Sequence, residues 1–348
     1  MEGNAGSVPR PGANCGMPLQ LRFLKTTAIK HVSRYVFFYM DSAMEAAGIA
    51  PMHNPQGKFE TIVAKILSRL HLTANFRRSS KGPMFVPCMS PSESKLFPFA
   101  YWTEIIPYCF DCWEPDYPAW RSFFLRHRVR LAFFSARQSA RHFAGVLPAM
   151  KSLWLPEATD PSEYHPERRL ADRDIDVLEV GRKYDRFHSS IVQVMAANKR
   201  VHLFEKIKGE IVFADKASFT DGLGRSKISV CFPCSQTHVE RSGSIETVTH
   251  RYFESMASKC ILLGHCPAEL ADLFGYNPVF EIQPGGEVQQ IESILSNLDS
   301  FQAIVDRNYD RLLQVGTWRS RASVIMETAE TLSARSAPQQ ALRAQEHK

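Results

Sequence analysis

No apolar run in the chain approaches the roughly 18 residues that a membrane-spanning helix needs. The opening residues, MEGNAGSVPRPGANCGMP, contain no apolar signal core. Neither a span nor an export signal is expected, so the sequence reads as cytoplasmic. Cysteine is scarce: 8 in 348 residues cannot build a disulfide scaffold. No Gly-rich turn follows an early strand, and no self-similar unit recurs at the periods that mark solenoids. The interleaved basic and aromatic residues of single-strand binders are also missing, so nucleic acid is not an expected partner.

What is present suggests two α/β units. Residues 1–155 carry 19 Lys+Arg against 9 Asp+Glu, and the remainder carries 23 against 27. A basic front half and a mildly acidic back half fit domains with different partners. The basic half suits an anionic acceptor or the inner face of a membrane, where it could associate peripherally.

In the back half, short runs that are apolar throughout (174–181, 200–206, 226–233, 260–264 and 278–282) read as strands. The stretches 249–258, 267–274 and 287–298 between the later ones read as helices. Such strands alternating with helices predict a parallel sheet covered on both faces. Residues 299–333 read as one or two long helices anchored by Trp318 and Ile325. In the front half, 35–40, 84–87, 104–110, 129–135 and 151–156 read as strands, with helices at 119–128 and 137–147. The expected organisation is a disordered tail over 1–20, a first Rossmann-like domain over 21–160, a polar linker over 161–173, a second Rossmann-like domain over 174–335 and a disordered tail over 336–348. Ligands of such sheets bind beyond the strands' carboxyl ends, so the expected site is the cleft between the two.

The stretch IETVTHRYFESMASKCILLGHCP (245–267) carries the strongest chemical signal. Thr249 can cap a helix, and Tyr252, Phe253, Met256 and Ala257 then form one apolar stripe. Glu246 precedes that helix and Glu254 lies inside it. Eight residues of helix rise about 12 Å, and an extended sugar–diphosphate–ribose has a comparable span. Helix N-termini present free N–H groups and partial positive charge, a natural seat for a pyrophosphate. Carboxylates on either side could accept hydrogen bonds from sugar and ribose hydroxyls, and His250 and Arg251 could add positive charge.

This E-x7-E segment ahead of MASKCILLG resembles the donor-binding segment of GT-B glycosyltransferases, the retaining type related to family 4. DVLEVGRKYDR (176–186), WLPEATDPSEYHP (154–166) and FEIQPGGEVQQIESIL (280–295) are similar to other segments of that family in the same order. The resemblance implies two Rossmann-like domains facing across a cleft. It also implies transfer of a sugar from a nucleotide-sugar to a glycan or lipid-linked acceptor, with no separate cofactor and no metal ion. By the same resemblance Glu246 would contact the donor sugar and Glu254 the ribose. Arg182 and Lys183 would meet the pyrophosphate, with Arg186 as the alternative. Asp111, at a strand end of the first domain, is the candidate general base should one be needed. A GT-B-shaped nucleotide-sugar epimerase and a non-catalytic relative stay open. An alternative of another class is a zinc-stapled nucleic-acid-binding protein built on Cys109/Cys112 and Cys231/Cys234.

Overall fold

The computed structural model describes residues 20–25, 35–53, 82–92, 99–181, 183–207 and 212–345, with isolated positions between 59 and 97; side chains are described to Leu332. The expected tail over 1–20 lies outside them except for Gln20.

Two parallel sheets organise the chain. The first contains β1 (Arg22–Lys25), β2 (Ala50–His53), β3 (Met84–Cys88), β4 (Ile105–Cys109), β5 (Leu131–Phe134) and β6 (Lys151–Trp154), in the order β2-β1-β3-β4-β5-β6. The second contains β7 (Ile175–Glu179), β8 (His202–Phe204), β9 (Ser226–Cys231), β10 (Ile261–Gly264) and β11 (Phe280–Glu281), in the order β11-β10-β9-β7-β8. The helices of seven or more residues are α1 (Tyr35–Ala46), α2 (Tyr117–Arg126), α3 (Arg137–Val146), α4 (Asp185–Ala197), α5 (Lys216–Gly224), α6 (His250–Ala257), α7 (Ala268–Phe274), α8 (Glu287–Leu295), α9 (Leu298–Val315) and α10 (Trp318–Gln345). The fold is α/β, with two parallel-sheet domains, as expected.

Helices on the sheet faces explain the apolar runs. β4 and β5 are buried at every residue, because a strand covered on both sides has no polar face. On α3 the inward residues are Ser139, Ala140 and Phe143, and the Phe143 ring stacks on Phe134 with centroids 5.4 Å apart. α6 buries Tyr252, Phe253, Met256 and Ala257, the stripe read from the sequence.

Three expectations need correction. Residues 35–40 (YVFFYM) are the first half of α1, not a strand. Val36, Met40 and Met44 recur every four residues on the buried side while Phe38 is 53 % exposed, so the helical period outweighs local β-propensity. Next, the chain from Trp318 onward does not stay with the second domain. α10 packs along α1, and Trp318 lies 5.7 Å from the Tyr108 ring and 6.3 Å from Phe110. Finally, the stretch from 336, expected as a tail, is helical as far as Gln345, in α10. The polar linker over 161–173 is also anchored more firmly than its composition suggests, since Tyr164, Leu170 and Arg173 are buried.

A single buried cluster runs from Phe23 and Phe85 through Leu155, Tyr164 and Trp318 to Tyr252 and Leu262. The two sheets therefore share a core where they meet. Gly264, at the end of β10, shows how tightly the second sheet is set. Its φ is +151°, and a Cβ there would sit 2.0 Å from the Cys231 carbonyl oxygen. Gly264→Ala is expected to lower the unfolding free energy by about 2 kcal/mol, read by urea denaturation; a neutral result would mean that β9 and β10 can separate without loss.

Candidate functional site

Glu254, on the second turn of α6, is 2 % exposed. Its Oε1 accepts a hydrogen bond from the Tyr164 hydroxyl at 3.2 Å, and Oε2 lies 3.4 Å from Arg251 Nη1 and 3.9 Å from His250 Nε2. Tyr164 arrives from the interdomain segment and accepts from Thr159 Oγ1 at 3.3 Å. The Tyr39 hydroxyl of α1 is 3.2 Å away. Burial and the neighbouring Glu254 charge push the Tyr164 phenol well up, so it remains a donor.

Arg251 crosses the Phe219 ring at 4.9 Å and turns toward the segment after β7. Its Nη2 is 3.9 Å from where a Cβ on Gly181 would lie. Gly181 has φ +87°, a left-handed conformation suited to glycine. Arg251 Nη1 and Glu254 Oε2 are buried without a hydrogen-bond partner. They form an ion pair with each other at 3.4 Å but no hydrogen bond, and such a loosely held pair beside a backbone turn suits a ligand that carries both anionic oxygens and hydroxyls.

The α6 N-terminus carries a different anion. Thr249 occupies the cap position but makes no side-chain cap bond. Glu157, 6 % exposed, fills that role: its Oε2 accepts from the His250 backbone N–H at 2.9 Å and lies 3.1 Å from His250 Nδ1. Burial disfavours the imidazolium of His250, but the Glu254 charge and the Glu157 hydrogen bond outweigh it, so its pKa stands above the ordinary value. Glu157 and Tyr164 were not singled out in the sequence. Their signal lay in the quoted segment WLPEATDPSEYHP, as an acidic residue and an aromatic.

Glu246 makes its hydrogen bonds away from α6. Its Oε1 lies 2.5 Å from His265 Nε2, and its Oε2 accepts from the Ala268 backbone N–H at 3.2 Å, so it caps α7. The His265 hydrogen bond holds the Glu246 carboxyl below its usual range. Among the basic candidates, Arg182 lies outside the described residues. Lys183 donates to the Glu205 carbonyl at 2.9 Å and lies 5.5 Å from the Phe204 ring. Arg186 is exposed on α4, lining a recess of about 50 Å³ with Tyr184, Phe187, Ile282, Pro284 and Glu287. Asp111 does follow β4 and does face the second domain, where its carboxylate pairs with Arg241 at 2.8 Å.

Further contacts join the domains beside these groups. Glu114 accepts from Ser244 N at 3.0 Å, Gln138 Oε1 accepts from Glu246 N at 2.7 Å, and Arg137 pairs with Asp272 at 2.5 Å. Glu269 accepts from Arg137 N at 2.9 Å and from Val248 N at 2.7 Å. The larger recess, about 250 Å³, is lined by His165, Glu167, Arg168, Asp221 and Gly224 and does not contain Glu254. The structure is thus a closed arrangement that brings Glu254, Arg251 and His250 together and leaves Glu246 and Lys183 on other partners and Arg186 exposed.

The metal-ligand alternatives resolve differently. Cys109, Cys112, Cys231 and Cys234 are buried thiols, and among the described residues no cysteine joins a cluster of metal-ligating size. Burial pushes Cys231 up to about 12 and Cys109 and Cys112 well up, which favours the thiol over the metal-binding thiolate. The geometry therefore contradicts a zinc staple built on these pairs. Asp174 and Asp176 share a D-x-D spacing, but Asp174 pairs with Arg225, and Asp176 pairs with Lys227 at 2.6 Å and accepts from Val201 N at 2.9 Å.

Neither the family models nor the curated proteins compared match the sequence. Solved structures do match the fold. The chain is similar to Anabaena HepE in complex with UDP, at 10 % identity and a TM-score of 0.55, over 90 % of this chain and 100 % of that one. It is similar to AviGT4, a glycosyltransferase involved in avilamycin A biosynthesis, at 14 % identity and a TM-score of 0.55, over 91 % and 98 %. It is also similar to sucrose-phosphate synthase from Thermosynechococcus elongatus, at 12 % identity and a TM-score of 0.60, over 91 % and 100 %. At such identities the likeness is one of architecture, and it establishes that this chain has the two-domain GT-B fold.

Proposed function

We propose that the chain is a glycosyltransferase, of the family-4-like retaining type, that moves a sugar from a nucleotide-sugar donor to a glycan or lipid-linked acceptor. The carrying observation is the set of buried Glu254 and Tyr164 with half-buried Arg251, whose Nη1 pairs with Glu254 Oε2 at 3.4 Å without a hydrogen bond, at the carboxyl edge of the second sheet beside Gly181. HepE structures hold UDP and UDP-glucose on the same fold, which supports this class of donor. In this reading Glu254 accepts from the ribose hydroxyls, and Arg251, His250, Arg182 and Lys183 meet the charge growing on the leaving diphosphate. The acceptor hydroxyl attacks the anomeric carbon as the carbon–diphosphate bond breaks, and its proton passes to the departing phosphate oxygen. Asp111 would serve as base only after leaving Arg241. A lipid-linked acceptor is favoured by the basic first half and by Phe59, Ile62 and Ile66, at helical spacing and 73 %, 56 % and 51 % exposed. That placement at a membrane face, and a role in polysaccharide biosynthesis, belong to the proposal.

The test is a thermal-shift screen of the full chain against UDP, GDP, ADP and their sugars. A ligand at 100 times its dissociation constant stabilises by about 2.7 kcal/mol. The absence of any shift overturns the reading. A second reading, a nucleotide-sugar epimerase or a binder without transfer, is favoured by Glu246, whose carboxylate is already engaged by His265 and Ala268. Binding without release of nucleoside diphosphate in the presence of acceptors would select it.

Glu157 supplies a sharper expectation. Its carboxylate occupies the anion seat at the α6 N-terminus, so a diphosphate entering there must displace it. Glu157→Gln should tighten UDP binding about tenfold, or about 1.4 kcal/mol, by calorimetry. Unchanged or weaker binding would place the diphosphate elsewhere.

A further inference from the structure

Three side chains outside the donor set converge behind the segment that carries Gly181. Glu179 ends β7, His188 lies on the first turn of α4 and His202 begins β8. Glu179 Oε1 lies 2.9 Å from His188 Nδ1 and 2.7 Å from His202 Nε2. The three ligand atoms lie within 4.8 Å of one another. The Glu179 side chain is 2 % exposed, His202 4 % and His188 15 %. We propose that Glu179, His188 and His202 bind a single divalent transition-metal ion of the zinc type. The proposal goes beyond the glycosyl-transfer reading and does not depend on it.

Hydrogen bonding within the cluster leaves its charge unresolved. Glu179 Oε1 receives both imidazoles, while Oε2 is buried with no partner. His202 Nδ1 is likewise buried and unpartnered. Among the described residues no lysine or arginine pairs with Glu179. Lys183, nearby in sequence, spends its ammonium on the Glu205 carbonyl and the Phe204 ring. Phe204 itself lies against both imidazoles, with centroids 4.7 and 4.6 Å away. A buried carboxylate without a cation is costly unless an ion or a full set of donors meets it.

The donor set fits the ion's chemistry. Two imidazole nitrogens and one carboxylate, with a fourth position open, match a borderline-soft divalent ion. Bond lengths near 2.0–2.2 Å put neighbouring ligand atoms about 3.3–3.6 Å apart in a tetrahedron. The present carboxylate–imidazole contacts of 2.9 and 2.7 Å must therefore open by roughly half an ångström or slightly more to admit the ion. Each ligating nitrogen must present its lone pair, so the hydrogen on that atom moves to the other ring nitrogen or to solvent. His188 is the most exposed of the three, at 15 %, so a water as fourth ligand would come from its side. Because the ligands come from the carboxyl end of β7, the start of β8 and the first turn of α4, the ion would tie together these three elements around the chain that leaves β7.

The experiment uses the full chain, stripped with chelator and titrated with Zn²⁺ by calorimetry, then with Co²⁺ by visible spectroscopy. One equivalent of Zn²⁺ is expected to bind, and the Co²⁺ form should show a four-coordinate spectrum without a thiolate charge-transfer band. His188→Gln, at the most exposed ligand, and Glu179→Gln should each weaken binding about 100-fold, with folding checked by circular dichroism. Absence of saturable Zn²⁺ binding by the wild type overturns the proposal, whatever the variants do. Wild-type affinity in a folded His188→Gln, or a thiolate band that moves the ligands to the cysteines, also overturns it.

Discussion

Glu254→Gln is expected to weaken UDP binding by about 100-fold, or 2.7 kcal/mol, and to remove the ligand-induced thermal shift while leaving the unliganded melting temperature nearly unchanged. The asymmetry follows from how the carboxylate is used. Its hydrogen bond within the protein is from the Tyr164 hydroxyl to Oε1, and a glutamine oxygen can accept the same bond. Its other oxygen makes no hydrogen bond and meets Arg251 Nη1 and His250 Nε2 only through charge, at 3.4 and 3.9 Å. The amide keeps the structural half of the side chain and loses the charged half that orients Arg251 and accepts hydroxyls. Glu254→Ala is a poorer probe, since it leaves the Tyr164 hydroxyl buried without its acceptor at a cost of about 1–3 kcal/mol. Wild-type UDP affinity in Glu254→Gln would remove Glu254 from the site.

The second sheet was nearly all legible because its strands are short, largely apolar runs set between amphipathic helices. The same logic failed at residues 35–40, where six apolar or aromatic residues fit either a strand or a helix. Only the company of Met44 and the packing of α10 decide the case. β1 and β2 are four residues each, and Ala50–His53 alternates half-buried with exposed positions, too weak a pattern to recognise. Glu254 could be read because the E-x7-E spacing sets a carboxylate inside a helix whose start suits an anion, although it lies off the apolar stripe. The facing residues could not, since Glu157 is 93 positions from His250 and Tyr164 is 90 positions from Glu254, and only folding brings each pair within bonding distance. Glu246 shows the converse limit. Its spacing fits the E-x7-E pattern, yet spacing says nothing of the rival helix start at Ala268, which holds its carboxylate here.

That competition bears on how the protein would open. A donor entering between the domains meets Glu157 on α6, Glu246 on α7 and Asp111 on Arg241. The surface ion pairs among these contacts contribute little individually. The buried members are the ones that set the closed arrangement, and Glu269 is the most strongly perturbed of them.

Glu269, 5 % exposed, accepts the Arg137 N–H of the first domain and the Val248 N–H of the second, two residues before α6. Burial pushes its carboxyl from 4.5 up to about 7, against the two backbone hydrogen bonds, which pull the other way. A folded-state pKa above the unfolded one means that the folded protein holds this proton more tightly. The associated stability is therefore complete below about pH 4.5 and is lost as pH rises through about 7. A rise of that size corresponds to about 3 kcal/mol. Glu269→Gln cannot titrate. The difference in unfolding free energy between wild type and variant should then change by up to about 3 kcal/mol between pH 5 and pH 8.5, in the sense that wild type loses relative to the variant as pH rises. His250 and His265, also shifted upward, give slopes of the same sign but are common to both proteins and largely cancel. Urea denaturation across that range measures the difference. A pH-independent difference would mean that Glu269 is ionised throughout, and that the two N–H groups rather than burial govern the contact between the domains.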